Sequence, residues 1–191
     1  MYLSEFIIEW PLHKNPYDIH RYLWDAFPGM PDEDRPFLFR ASPVERGEPI
    51  RVLMQSAIAP SDKLLSSGCS LCRSKEFKPV FHKGQILRFL LFANPVKRLS
   101  KERCRVPLIR QEEQIEWIQR KLKDGADILE AKVIGRQSLY FKKKGMACKL
   151  DTVTFSGLIN VTIPDKFLNI ISSGIGAAKS FGCGLMSVAR A

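Results

Sequence analysis

The sequence has no apolar run of the roughly 18 residues that a membrane-spanning helix requires, and no membrane partner is expected. Histidine is scarce, with three among 191 residues, and the five cysteines include a single pair at ligand spacing, Cys69-Ser70-Leu71-Cys72. No second CxxC or CxxH accompanies that pair, and neither His13 nor His82 is spaced to complete a zinc site with it. No metal and no cofactor is therefore expected. An odd cysteine count favours reduced thiols over a disulfide scaffold. The opening residues, MYLSEFIIEW, lack the basic start and small-residue cleavage site of a secretion signal, and a cytoplasmic location is the expectation. Also missing are a paired-carboxylate motif of the two-metal kind, a Walker phosphate loop and a dinucleotide fingerprint. The glycine-rich stretch that is present ends a helix instead of following a strand.

Acid is short in one half only. Residues 1–83 hold 11 Lys and Arg against 11 Asp and Glu, whereas residues 84–191 hold 19 against 9, so the whole net charge of +10 lies in the second half. A solvated surface needs no such segregation. The asymmetry points to a polyanion bound mainly by the second half. Nucleic acid fits better than a membrane surface, because no basic amphipathic helix with a broad apolar face occurs there. An apolar content of 45% supports a folded core, and the length allows one mid-sized domain or two small ones.

The order of elements favours two. YLSEFIIEW reads as a strand and residues 15–27 as a helix, with Asn15 to cap it and Pro16 at a first position that needs no backbone donor. FLFRA and PIRVLMQSA read as a hairpin, SDKLLSS as a short helix opened by Ser61, and Lys75 to Val80 as a weak strand. The pattern then repeats. QILRFLLFANP is a strand, RQEEQIEWIQRKLKDG a helix, and DILEAKVI a further strand. Ser138 to Thr162 supplies more strand, with Lys142-Lys143-Lys144-Gly145 at a hairpin tip. PDKFLNIISSG is a helix between Pro164 and Gly174, and GLMSVAR closes the chain as a strand. This predicts an α+β protein of two tandem ferredoxin-like (RRM-like, βαββαβ) domains, residues 1–83 and 84–191.

Three stretches carry candidate chemistry. In the first helix, Tyr17, His20 and Trp24 share one face, and Ile19, Leu23 and Phe27 form the neighbouring apolar stripe. That spacing admits an aromatic helix with a half-buried histidine, or an acid–base pair beside an anion site. In the segment from Gly174 to Gly184, the glycines Gly174, Gly176, Gly182 and Gly184 bracket Lys179. A phosphate backbone could lie against free N–H groups there; a plain connecting loop is the alternative. Between Lys97 and Arg110, six basic residues (Lys97, Arg98, Lys101, Arg103, Arg105 and Arg110) face one acid. Arginine suits bidentate contact with phosphate and with guanine edges. Lys142, Lys143, Lys144 and Lys149 add a basic hairpin in the same half, slim enough to enter beside an RNA loop or helix end.

Taken in order, MYLS, YDIHRYLW, FLFR, VLMQS, FANPVK, RCRVPLI, QIEWIQRKL and GIGAAKSFGCGLMSV resemble the CasE subfamily of CRISPR repeat-processing endoribonucleases, in the RAMP superfamily. The resemblance spans nearly the whole chain. It implies two ferredoxin-like domains, metal-independent cleavage of the hairpin in CRISPR repeat RNA, and retention of the product hairpin within a multi-subunit interference complex of other Cas proteins. It also implies that His20 is the catalytic histidine and Tyr17 its companion. The glycine-rich loop then falls on Gly174 to Gly184, and the segment that grips the hairpin on Arg103 and Arg105 with Lys97, Arg98 and Lys101 nearby. Some relatives place a lysine shortly after the histidine; here Asp25 stands in that region, leaving Arg21 and Lys179 as candidates for the cation. The link from FANP to RCRVPLI is seven residues, shorter than in other members.

RNA brings its own nucleophile, the 2′-OH beside the scissile phosphate, so the reaction needs a base, a proton donor for the 5′ oxygen and positive charge on the phosphorane. His20 is expected as the base, with the acid role as the alternative, and Tyr17 as a hydrogen-bonding guide for the ribose or phosphate. A non-catalytic hairpin-binding subunit, and an assembly protein whose basic half meets an acidic protein, are the rival readings.

Overall fold

The computed structural model describes residues 1–30, 35–42, 44–99, 104–143 and 146–191. In chain order its elements are β1 (Tyr2–Ile8), α1 (Pro16–Trp24), β2 (Phe37–Ala41), β3 (Ile50–Ser56), β4 (Cys69–Glu76), β5 (Ile86–Ala93), β6 (Val96–Leu99), β7 (Cys104–Pro107), α2 (Gln111–Leu122), β8 (Ala126–Lys143), β9 (Met146–Val161), α3 (Pro164–Ser173) and β10 (Met186–Arg190). One four-stranded sheet has the order β2-β3-β1-β4 and the other β10-β5-β9-β8. Counted from the first strand of each half, both follow the 4-1-3-2 order of a ferredoxin-like sheet, so the expected α+β fold of two such sheets is present.

Alternation builds each sheet face. Along β1, Ser4, Phe6 and Ile8 point inward, directly opposite Met54, Val52 and Ile50 of β3, and Ile19 and Leu23 of α1 cover that face. Along β5, Leu87, Phe89, Leu91 and Ala93 alternate inward. They pack with Trp117, Ile118 and Leu122 of α2 and with Phe167 and Ile171 of α3. The period-2 and period-3.6 patterns in the sequence therefore mark real faces.

Four expectations change. SDKLLSS is not a helix: Ser61 Oγ accepts from the Lys63 N–H and the Leu65 N–H bonds to the Asp62 carbonyl, which makes successive turns. Only seven residues separate Pro60 from Gly68, too few to recover the cost of helix nucleation. The fourth strand is Cys69–Glu76, earlier than Lys75 to Val80, and it is exposed along most of its length. An edge strand open to water on both sides shows no apolar alternation. DILEAKVI and SLYFKK are one strand, because β8 runs 18 residues through Gly135. Finally, the basic segment after β5 is itself a ribbon, with β6 paired antiparallel to β7.

The chain forms two compact units. The first comprises Met1–Lys78 with Leu139–Lys149 and Ser180–Gly182; the second comprises Pro79–Ser138, Leu150–Lys179 and Cys183–Ala191. The outer end of the β8–β9 hairpin and three residues of the glycine-rich segment thus belong with the first sheet. No helix among the described residues is long and apolar enough to cross a membrane.

Candidate active site

α1 is started by its first residues. Asn15 Oδ1 accepts from the Tyr17 N–H at 3.4 Å, and Pro16 occupies the first turn, so one orphan donor of the helix is satisfied and another never exists. Ile19 and Leu23 are buried, and the adjoining face carries Tyr17, His20 and Trp24. The Trp24 indole Nε1–H donates to His20 Nε2 at 3.2 Å. An indole nitrogen can only donate. Nε2 therefore holds a lone pair, and the imidazole proton sits on Nδ1, which is shielded from solvent. The Nε2 lone pair is thus engaged by the indole, and His20 takes a proton there only once the Trp24 N–H has let go.

Around this imidazole the first unit closes a circuit of side chains. The Tyr17 and His20 ring centroids lie 5.9 Å apart, and His20 meets Phe37 of β2 at 5.7 Å. The Arg35 guanidinium lies 5.7 Å over the Phe37 ring, and Arg35 Nη1 donates to Ser180 Oγ at 3.3 Å. Phe181 then returns to Tyr17 at 5.6 Å. A single 3-10 turn, Lys179–Phe181, supplies the last two side chains. Gly182 lets that turn settle on β2: its φ is +80°, and a Cβ there would stand 3.2 Å from the Phe39 ring. Burial lowers the pKa of Arg35 from its ordinary value.

The remaining residues of the glycine-rich segment do structural work. Gly174, Gly176, Gly182 and Gly184 all have positive φ, and a Cβ on Gly184 would lie 2.8 Å from the Ile175 carbonyl oxygen. The Gly174 N–H bonds to Ile170 O, and the Gly184 N–H to Phe92 O, so neither amide is left for a ligand. Lys179 Nζ donates to Ser173 O at the end of α3, where a cation suits the helix C-terminus. Arg21 pairs with Asp18 at 3.4 Å on the surface. Asp25 accepts from Ser66 Oγ at 2.5 Å.

The basic residues divide between the units. In the second, Arg98 stands directly opposite Arg105 across the β6–β7 ribbon, and both are exposed. Like charges in that position repel, and a polyanion would relieve them. Lys97 reaches Glu113 at 3.5 Å, an exposed pair worth little, and Arg110 is the exposed residue that precedes α2. In the first unit, Lys142 and Lys149 are exposed. Asn15 Nδ2 donates to the Lys142 carbonyl at 3.2 Å, and Phe141 packs on Phe181 at 4.2 Å, so the hairpin end is tied to the start of α1. A groove of about 430 Å³ runs past Lys14, Asn15, Tyr140, Phe141 and Lys142. Lys101, Arg103, Lys144 and the side chain of Lys143 lie outside the described residues.

Cys69 and Cys72 do not converge. Cys69 is buried and Cys72 exposed, with Cys72 at the irregularity where β4 shifts register against β1. Burial, and then the Asp25 charge, push the Cys69 thiol up to about 11, and burial pushes Cys183 up to about 12. Such thiols are poor sources of thiolate. Among the described residues no group of three His, Cys, Asp or Glu side chains comes together.

Sequence reasoning passed over Arg35, Ser180, Phe181, Lys14 and Tyr140. Ser180 and Phe181 lay inside the glycine-rich stretch and could have been singled out from it. Arg35 follows Asp32-Glu33-Asp34, a context that reads as a solvated charged loop.

Residues 1–190 match the family described as CRISPR associated protein. The chain is similar to the CRISPR system Cascade subunit CasE of Escherichia coli (strain K12), with 36% identity covering 99% of each chain. It is similar to the CRISPR-associated endoribonuclease Cse3 of Thermus thermophilus, with 33% identity covering 92% of this chain and 90% of that one. Among solved structures, a CRISPR endoribonuclease Cse3 bound to a 19-nucleotide RNA superposes with a TM-score of 0.88 at 31% identity over 100% of both chains.

Proposed function

This chain belongs to the CRISPR-associated protein family, and from that membership we propose that it is an endoribonuclease of CRISPR RNA processing. It cleaves the repeat hairpin of the precursor by attack of the RNA's own 2′-OH, keeps the hairpin at the 3′ end of the mature guide, and serves as a subunit of an interference complex in the cytoplasm. The observation that carries the reading is the unprotonated His20 Nε2, held by Trp24 within a closed circuit of Tyr17, Phe37, Arg35, Ser180 and Phe181.

RNA cleavage of this kind is a transesterification, with one bond to phosphorus made and one broken. The 2′ oxygen bonds to phosphorus, its proton passes to His20 Nε2 as the Trp24 N–H lets go, and the phosphorus–5′-oxygen bond breaks as that oxygen takes a proton from water. The products are a 2′,3′-cyclic phosphate and a 5′-OH. Tyr17, one turn before His20 on the same helix face, positions the ribose or the phosphate by hydrogen bond. A metal-free course fits this chemistry because the nucleophile belongs to the substrate and an imidazole can accept its proton near neutral pH. The exposed Arg98–Arg105 pair, with Lys97 and Arg110, suits the phosphates of the hairpin stem, and Lys142 and Lys149 extend the basic surface of the first unit.

Single-turnover cleavage of the cognate repeat hairpin in EDTA tests the proposal. His20→Ala should lower the rate by about 10²–10⁴-fold, the usual worth of a general acid–base group. A hairpin with 2′-deoxy at the scissile ribose should bind and stay intact. Restoration of cleavage only by a divalent ion would remove the metal-free course, and binding without cleavage by the parent protein would leave a hairpin-binding subunit.

A further inference from the structure

We propose that Arg35, with Ser180 as its support, is the cation that meets the scissile phosphate and stabilises the charge on its non-bridging oxygens. The proposal rests on the ribonuclease reading above and fills a role that reading leaves open. Of the two cations first considered for it, Lys179 sits on the C-terminal carbonyl of α3 and Arg21 makes an exposed pair with Asp18.

Arg35 has the properties the role requires. It lies one ring away from the base, since its guanidinium covers the same Phe37 that touches His20. Its Nη1 is fixed by Ser180 Oγ, and Ser180 is covalently next to Phe181, which packs on Tyr17. The Nε–H is buried and has no hydrogen-bond partner among the described residues. A buried charged donor left in that state is costly, and an anion would satisfy it. A phosphoryl oxygen is the anion that the chemistry beside His20 provides. Guanidinium presents parallel N–H donors to a tetrahedral phosphate. It holds its proton throughout, so the 2′-OH proton goes to His20 and Arg35 contributes charge alone. Because the negative charge on the phosphoryl oxygens grows as the phosphorane forms, a donor fixed in advance acts mainly on the rate.

The test uses the full chain, its repeat hairpin, the 2′-deoxy hairpin and a hairpin with sulfur replacing one non-bridging oxygen of the scissile phosphate. Arg35→Met should lower single-turnover cleavage about 100-fold or more, the range for losing one preorganised donor to a developing oxyanion. Binding of the 2′-deoxy hairpin should change by less than about threefold, since uniform binding is not what is removed. Arg35→Lys, which keeps the charge, should recover part of the rate. The sulfur substitution should slow the parent and leave Arg35→Met unaffected, an effect that a misfolded variant would not produce. Cleavage by Arg35→Met within about threefold of the parent, or an equal sulfur penalty in both proteins, would overturn the assignment while leaving the ribonuclease reading in place. A parent protein that binds the hairpin and does not cut it would overturn both.

Discussion

The two sheets share one strand order and are padded differently. The second carries α2 and α3, which bring Trp117, Ile118, Leu122, Phe167 and Ile171 onto its face. The first carries α1, and the stretch where a second helix would run is a series of turns from Ser61 to Gly68. Charge divides the other way: residues 1–83 are balanced and residues 84–191 hold the whole excess of +10. The lean, neutral half places a histidine, a tyrosine and a half-buried arginine around one cluster, and the well-padded half presents the Arg98–Arg105 ribbon. The burial of Phe37, Phe39 and Leu23 keeps the cluster in place. The two halves thus share a strand order and differ in the helix cover of their sheets.

The largest effect that would break this contrast is on stability. Leu23 of α1 and Leu122 of α2 are both fully buried, and each change to alanine should cost about 2–5 kcal/mol. Their consequences for cleavage should differ. Leu23→Ala loosens the helix that carries His20, so the single-turnover rate should fall along with the melting temperature. Leu122→Ala should melt earlier and still cut within about threefold of the parent when folded. Equal losses of rate would dissolve the division of labour.

A smaller effect sharpens the charge side of the comparison. Arg98→Ala combined with Arg105→Ala should weaken hairpin binding roughly tenfold at 0.15 M salt and make its salt dependence shallower by about two phosphate contacts. Cleavage at saturating protein should be unchanged if the proposed role of these side chains is to hold the hairpin. The smallest effect is the most local. Trp24→Phe keeps the ring beside Phe37 and removes the indole N–H. In nitrogen-15 spectra of the imidazole, Nε2 of His20 should read as unprotonated in the parent and as predominantly protonated in the variant. An unchanged tautomer would show that Trp24 does not set it.

Much of this was legible from residues alone where local physics decides. Asn15-Pro16 can do little other than open a helix, and the alternation in FLFRA and ILRFLLFA can bury only one face. The tyrosine and histidine three apart had to share a side once that helix formed. Legibility failed where a segment's environment is remote in sequence. β4 hides because an edge strand wetted on both sides needs no pattern. The turns at Ser61 to Gly68 were misread because a plausible cap does not by itself make a helix long enough to survive. The basic segment after Pro95 read as a charge run, since pairing between β6 and β7 depends on register and not on composition.

What the amino-acid order determined by itself was therefore helices α1, α2 and α3 and the strands with an alternating apolar face, the placement of the charge excess and the pairing of Tyr17 with His20, since these follow from neighbours within a few residues. What the tertiary structure decided was which distant side chains share that imidazole's surroundings. Arg35 precedes β2, Ser180 and Phe181 lie some 145 residues further on, and only chain closure in the folded state brings them onto one ring. Contacts at that separation come from packing and loop closure, and no local propensity encodes them.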